Sequence, residues 1–206
     1  MFKAELLQEI RDRFHHVDQC PYQGSRIFFE NAGGSLTLKS VVEVSAHFAS
    51  IPDNQGRDNP ASRELVRVIN KAREDMMTFF GVSEGVVFTG ESGTELLFRL
   101  VRAAIFGSAE GGNVIGSTLE HPATASARSQ WSPVAGKENI SIAHDKDQAM
   151  VTAEHYLEHV TAETRVATII QTSPVVGMAV DVKKIAKAIR SKSPDCFIIV
   201  DSIQHA

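Results

Sequence analysis

The sequence predicts an α/β protein, a mostly parallel sheet with helices on both faces. Short apolar, β-branched runs alternate with stretches of helical periodicity across most of the chain, and the connections between them are short. Residues 165–171 are apolar on successive rather than alternate positions, the pattern of a strand buried on both faces. No internal repeat, low-complexity tract or clear linker breaks the series.

Taken in order, residues 4–14 place Leu6, Leu7, Ile10 and Phe14 on one helical face. Residues 26–29 read as a short strand, and Glu30-Asn31-Ala32-Gly33-Gly34-Ser35 as a backbone-permissive turn. A helix is predicted from about 39 to 49, followed by a polar loop over 52–60 long enough to suggest a function. Ser62 is the expected N-cap of a long helix carrying Leu65, Ile69, Ala72, Met76 and Phe79 at helical spacing, closed by Gly81. Strands are then predicted at 86–88, 113–117, 140–143, 165–171 and 196–200. Helices are predicted between them at 95–106, 123–131, 152–160 and from an Asp181 cap to 189. Residues 1–60 thus form an N-terminal helix, strand and loop segment, and 61–206 the large α/β domain.

Composition narrows the function classes. Hydrophobic residues make up 43% and charged residues 22%, as in ordinary globular proteins. A net charge of −4 gives no basic field for nucleic acid and no polybasic stretch for a membrane. No apolar run approaches the roughly 20 residues that cross a bilayer, and the first residues continue into an amphipathic helix pattern rather than a secretory signal. Two cysteines, Cys20 and Cys196, build no disulfide framework and no metal-ligand spacing is present, so a reducing cytoplasm and no metal are expected. Cys196 falls in a strand-like run and is expected to be a buried, inert thiol.

In parallel α/β sheets, ligands bind beyond the carboxyl ends of the strands. After 86–88 comes Thr89-Gly90-Glu91-Ser92-Gly93-Thr94-Glu95, where small residues with free N–H groups opening a helix suit a phosphate. It also suits a plain capped turn, and no lysine follows as in a P-loop. His121, held between a strand end and Pro122, is placed either to meet a ligand or to cap a helix. Asp201 emerges from an apolar strand, where a carboxylate needs a cation or several donors unless it caps the next helix.

These motifs, in this order, resemble class V aminotransferases and cysteine desulfurases over nearly the whole chain. The resemblance lies in Phe29-Glu30-Asn31-Ala32-Gly33-Gly34, the loop 89–95, Glu120-His121, Ser173-Pro174-Val175-Val176-Gly177 and Val200-Asp201-Ser202-Ile203-Gln204. The loop Asn59-Pro60-Ala61-Ser62-Arg63 is similar to a segment of a desulfurase-like subgroup. It implies the large domain of a fold-type-I enzyme dependent on pyridoxal 5'-phosphate (PLP). Ser92, Gly93 and Thr94 would bind the phosphate, and His121 would stack on the pyridine ring and serve proton transfer. Asp201 would pair with the ring nitrogen, and Gln204 with the ring hydroxyl. Asn31 and the Gly33-Gly34 backbone would approach a substrate carboxylate. An amino-acid substrate and a homodimeric full-length parent are also implied.

Two departures stand out: Pro174 replaces a common asparagine, and the phosphate loop is one residue longer than the desulfurase form. A third concerns the cofactor lysine, which in the family lies beyond the Asp-x-x-Gln strand, whereas the last lysine here is Lys192. The expectation is a truncated large domain, inactive by itself, with neither cysteine serving as a desulfurase nucleophile. Two rivals are a non-catalytic remnant of the same fold that binds a partner or phosphate-bearing ligand, and a serine hydrolase. The latter would use Ser92, Asp201 and His205, although Thr94 crowds the elbow and Asp201 and His205 belong to the end of one strand.

Overall fold

Residues 3–52 and 55–205 are described by a computed structural model, in which the chain divides into two compact units, Met1–Phe88 and Thr89–Ala206. In the first, α1 (Ala4–Asp12) leaves Leu6, Leu7 and Ile10 exposed along its apolar face. The hairpin β1 (Gln19–Cys20) and β2 (Gly24–Ser25) pairs antiparallel, its turn closed by Gly24 at a φ of +80°. Helices α2 (Lys39–Ala49) and α3 (Pro60–Phe79) come next. Residues 26–29 form no strand: the ladder is made one step earlier, at 24–25, and Ile27 and Phe29 are left exposed.

The start of α3 also differs from expectation. Asn59, not Ser62, is the N-cap, accepting from the Ser62 N–H at 2.8 Å. Pro60 decides this, because its fixed φ and missing N–H suit the first helical position and put the cap immediately before it. Ser62 is instead buried, with its hydroxyl accepting from the Arg57 N–H at 3.0 Å.

The second unit opens with α4 (Gly93–Gly107) and continues β3 (Asn113–Ser117), α5 (Pro122–Val134), β4 (Glu138–Ile142), α6 (Ala153–His159), β5 (Thr164–Ile170), α7 (Val182–Lys192) and β6 (Phe197–Asp201). The four strands form one parallel sheet in the order β4-β3-β5-β6. Side-chain alternation divides its two cores. Val114, Val166 and Ile199 pack with Leu97, Val101 and Ile105 of α4 and Ala127 of α5. Ile115, Ala167 and Ile169 pack on the other face with Tyr156 of α6 and Ile185 and Ile189 of α7. Helices therefore cover both faces, and β5 is buried on each, as its apolar run requires. Residues 86–88 form no strand: Val86 and Phe88 are exposed and no ladder partner exists among the described residues.

Beneath the end of β3, Gly116 faces a polar group rather than the apolar core. A Cβ there would overlap Thr168 Oγ1, Glu120 Oε1 and Arg128 Cζ, the last at 2.6 Å. None is the free end of a surface chain, so Gly116→Ala should destabilise the protein by about 2 kcal/mol or more. Urea unfolding checks this, and an unchanged midpoint would show that the group yields easily.

Candidate site at the carboxyl end of the sheet

Because β3, β5 and β6 run parallel, their carboxyl ends open at one end of the sheet. After β3 the chain passes through Thr118 and Leu119 to Glu120, whose side chain turns inward and is about 1% exposed. Its carboxylate accepts from the Ser117 N–H at 3.0 Å and from the Thr168 hydroxyl at 2.7 and 2.8 Å. Arg128 of α5, equally buried, brings its Nε to 3.3 Å. The same guanidinium donates through Nη1 to Asn139 Oδ1 and the Ile140 carbonyl, each at 3.1 Å. Burial pushes the Glu120 carboxyl above its ordinary value, and Arg128, Thr168 and the Ser117 N–H pull against that rise. The Tyr156 phenol, also buried and near the Glu120 charge, is raised well above its ordinary value and donates to the Thr168 carbonyl at 2.7 Å.

With Glu120 pinned inside, the next residue points out. His121 is exposed and is the N-cap of α5, its Nδ1 accepting from the Ala123 N–H at 3.1 Å, with Pro122 as the first helical residue. A ring accepting at Nδ1 carries its proton on Nε2 when neutral, so a fixed donor faces outward.

At the start of α4, Ser92 is the N-cap and its Oγ accepts from the Glu95 N–H at 3.1 Å. The Glu95 carboxylate folds back onto the Glu91 N–H at 3.2 Å and pairs with Arg99 at 2.6 Å, which holds it below the usual carboxylate range. The helix therefore starts at Gly93, two residues earlier than its periodicity predicts, and the first-turn N–H groups of Gly93 and Thr94 have no acceptor within the helix.

Asp201 ends β6 and is buried, with Oδ1 accepting from the Ile203 N–H at 3.2 Å. The Ile203 side chain lies against the Gly93 backbone, where a Cβ would collide with its Cδ1 and stand 3.2 Å from its Cγ1. The loop after β6 thus meets the start of α4 directly, and Gln204 lies half-buried in the same turn. Ser202 donates to Gln171 Oε1 at 2.7 Å, and His205 Nδ1 pairs with Thr172 Oγ1 at 3.0 Å. The three side chains a hydrolase would link, Ser92, Asp201 and His205, make these other hydrogen bonds.

Arg128 and Thr168 do not stand out in the sequence. A signal exists for the first: Thr124, Ala127 and Arg128 recur at helical spacing on the buried side of α5, and an arginine in such a stripe implies an acid within reach. Thr168 sits inside an apolar strand and gives no comparable sign.

Lys137 is buried too, donating to the Ala109 and Gly111 carbonyls, and burial together with the Arg165 charge lowers its amine below the ordinary value. It precedes β4 and so lies at the amino end of the sheet, away from His121 and Asp201. Among the described residues no group of three or more His, Cys, Asp or Glu could hold a metal, and no helix is long and apolar enough to cross a membrane.

The sequence matches the family described as aminotransferase class-V over residues 27–206, so the chain belongs to that family. A probable cysteine desulfurase of Mycoplasma genitalium is 28% identical over 187 residues, covering 86% of this chain and 44% of the relative. A cysteine desulfurase-like protein of Aspergillus flavus is 26% identical over 190 residues, covering 87% and 42%. The chain therefore spans less than half the length of these curated relatives. The apo cysteine desulfurase of Thermococcus onnurineus shares the fold, with a TM-score of 0.78 at 18% identity over 98% of this chain and 48% of that one. A C-DES variant with glycine covalently linked to its PLP cofactor gives 0.76 at 16% identity, over 95% and 50%.

The buried groups lead to two expected outcomes. Arg128→Met strands a carboxylate and should cost about 3–5 kcal/mol, while adding Glu120→Gln should recover part of that loss. A double-mutant cycle by urea unfolding measures the coupling, and strictly additive effects would mean that the pair does not act as one. The two thiols should also differ. Cys20 is held below its ordinary value by the Tyr22 and Gln23 N–H groups and then by Arg26, whereas burial pushes Cys196 up to about 11. Iodoacetamide at pH 8 should label Cys20 and spare Cys196 until the protein unfolds, as read by peptide mass spectrometry.

Proposed function

We propose that this chain, as a member of the class-V aminotransferase family, forms the cofactor-binding part of a PLP-dependent enzyme acting on an amino acid, by desulfuration or transamination. The observation carrying this is the meeting of the α4 start with the Asp201 loop, through Gly93 and Ile203, at the sheet end that also presents His121. The group fits the residues. Orphan N–H groups of Gly93 and Thr94, with the Ser92 hydroxyl, suit a phosphate, and Glu95 is neutralised by Arg99 rather than left to repel it. Asp201 would favour a protonated ring nitrogen by charge proximity, Gln204 would meet the ring hydroxyl, and His121 would lie against the ring.

Bound there, PLP would supply an electron sink for a bond broken at the substrate α-carbon. The part of the chain is to hold and orient. The N-cap bond fixes the His121 ring and leaves the Nε2–H as its free donor. The Ile203 N–H keeps one Asp201 oxygen in place. Exposed apolar residues on α1 and α2, among them Leu6, Leu7, Val41, Val42 and Val44, support a homodimeric parent. The free thiols Cys20 and Cys196 support a reducing, cytoplasmic setting. Pro174 brings no side-chain donor, so the family's asparagine contact at that position is absent or taken over by another group.

A purified sample mixed with PLP, desalted and scanned for absorbance before and after borohydride reduction, tests this. Cofactor should be retained without a covalent adduct on a single lysine, and Gly93→Val, which drives a branched side chain into Ile203, should lower retention about tenfold or more. No retention by a folded sample, or equal retention in the variant, would overturn the assignment of the cradle.

A further inference from the structure

At the amino end of the sheet, opposite His121 and Asp201, β5 and β6 begin beside a cavity of about 340 Å³. Arg165, half-buried at the start of β5, and Asp195, exposed just before β6, both line it. Their charges are opposite, yet among the described residues neither takes part in an ion pair, with the other or with a third group. The Arg165 Nε is enclosed, so a ligand meets the guanidinium through its Nη groups, which donate to no described carboxylate or carbonyl. Burial first, and then the Arg165 charge, hold the nearby Lys137 amine below its ordinary value, with Glu110 pulling the other way. Lys137 donates to the carbonyl of Ala109 in the cavity wall. A carboxylate on Arg165 would therefore offset two cations.

The other side of the cavity favours a positive group. Helices α4 and α7 both end here, with Ser108 and Ser193 as their C-caps. The carbonyl end of a helix carries partial negative charge. The Ser108 and Ser193 hydroxyls donate to the Ile105 and Thr164 carbonyls at 2.9 and 2.7 Å, so their oxygens remain acceptors. Arg190 ties down the segment before β6 by donating to the Pro194 and Cys196 carbonyls, which sets the wall before a ligand arrives. Phe197, 48% exposed, makes an apolar side with Ala162 and Pro194.

We propose that this cavity binds a free, zwitterionic α-amino acid with an apolar side chain. Its carboxylate lies on the Arg165 Nη groups, its ammonium toward Asp195 and the serine oxygens, and its side chain against Phe197. A simple anion would leave Asp195 opposed and a simple cation would face Arg165, whereas a zwitterion complements both. The volume is near the lower end of the range for small-molecule sites, about 300–1,000 Å³, so the ligand is small. The seven residues of β5, roughly 20 Å of strand, separate this cavity from the sheet end that carries His121 and Asp201. The site uses residues of the second unit alone, none of them assigned to the cofactor, and is independent of the PLP assignment.

L-Leucine is the probe, titrated into the isotopically labelled chain at constant pH and ionic strength, with backbone amide NMR signals of residues 162–165 and 195–197 as the readout. Saturable shifts are expected there, with a Kd on the order of 1 mM. N-acetyl-L-leucine lacks the ammonium and L-leucinamide the carboxylate, and each should bind at least about tenfold more weakly. Leucine should lose about tenfold in affinity for Arg165→Gln and for Asp195→Asn. The second variant changes an exposed side chain and serves should the first fail to fold. Non-saturable shifts, equal binding of either derivative, or unchanged affinity in Asp195→Asn would each overturn the proposal. Shifts at Ser92 and His121 alone would also overturn it, by placing the amino acid at the other end of the sheet, and would leave the cofactor reading standing.

Discussion

The carboxylate of Glu120 and the guanidinium of Arg128 lie together with about 1% of each side chain exposed. Ions so deep are costly to strip of water, and they persist only where neighbouring donors and acceptors replace it. The replacements here come from four elements: the Ser117 N–H of β3, Asn139 and the Ile140 carbonyl of β4, the Thr168 hydroxyl of β5 and the α5 arginine itself. A glycine at 116 leaves the room that the group needs. Because shifting any member strands a charge, the loop from β3 to α5 has one stable course. That course turns Glu120 inward and delivers His121 to the open end of the sheet.

How much of this is legible in the sequence depends on which constraints are local. The strand at 113–117 and the helix at 39–49 have the bounds that their patterns predict, since burial and period alone define them. Asp181 and Gly81 act as expected because a capping carboxylate and a left-handed glycine work within a turn. The strands expected at 26–29 and 86–88 fail for the opposite reason. An apolar, β-prone run becomes a strand only against a partner, and neither run has one among the described residues. At the site, the loop 89–95, His121 and Asp201 are legible because each stands at a junction of period. Arg128 and Thr168 are not, because their meaning depends on Glu120, which is remote in sequence from Thr168 and faces inward only in the folded chain.

The two units also divide by how they are stabilised. Thr89–Ala206 carries both apolar cores, one on each face of its sheet. In Met1–Phe88 the described helices leave Leu6, Val44, Phe79 and Phe80 exposed, and Ser62 is the only described residue of its helices that is buried. A unit of that kind gains little from burial of its own side chains. Its order rests more on polar ties such as the Asn59 cap, the Arg26 clamp on His16 and the bridge at Phe14.

Ile203 shows how the second unit joins parts of the chain that are far apart in sequence. It stands between the Asp and the Gln of the Asp-x-x-Gln motif, and more than half of it is exposed, so burial does not explain its placement. Its N–H holds an oxygen of Asp201, and its side chain rests on Gly93 at the start of α4. One residue thereby couples the orientation of a buried carboxylate to the position of the helix terminus whose N–H groups suit an anion. Moving either would disturb the other.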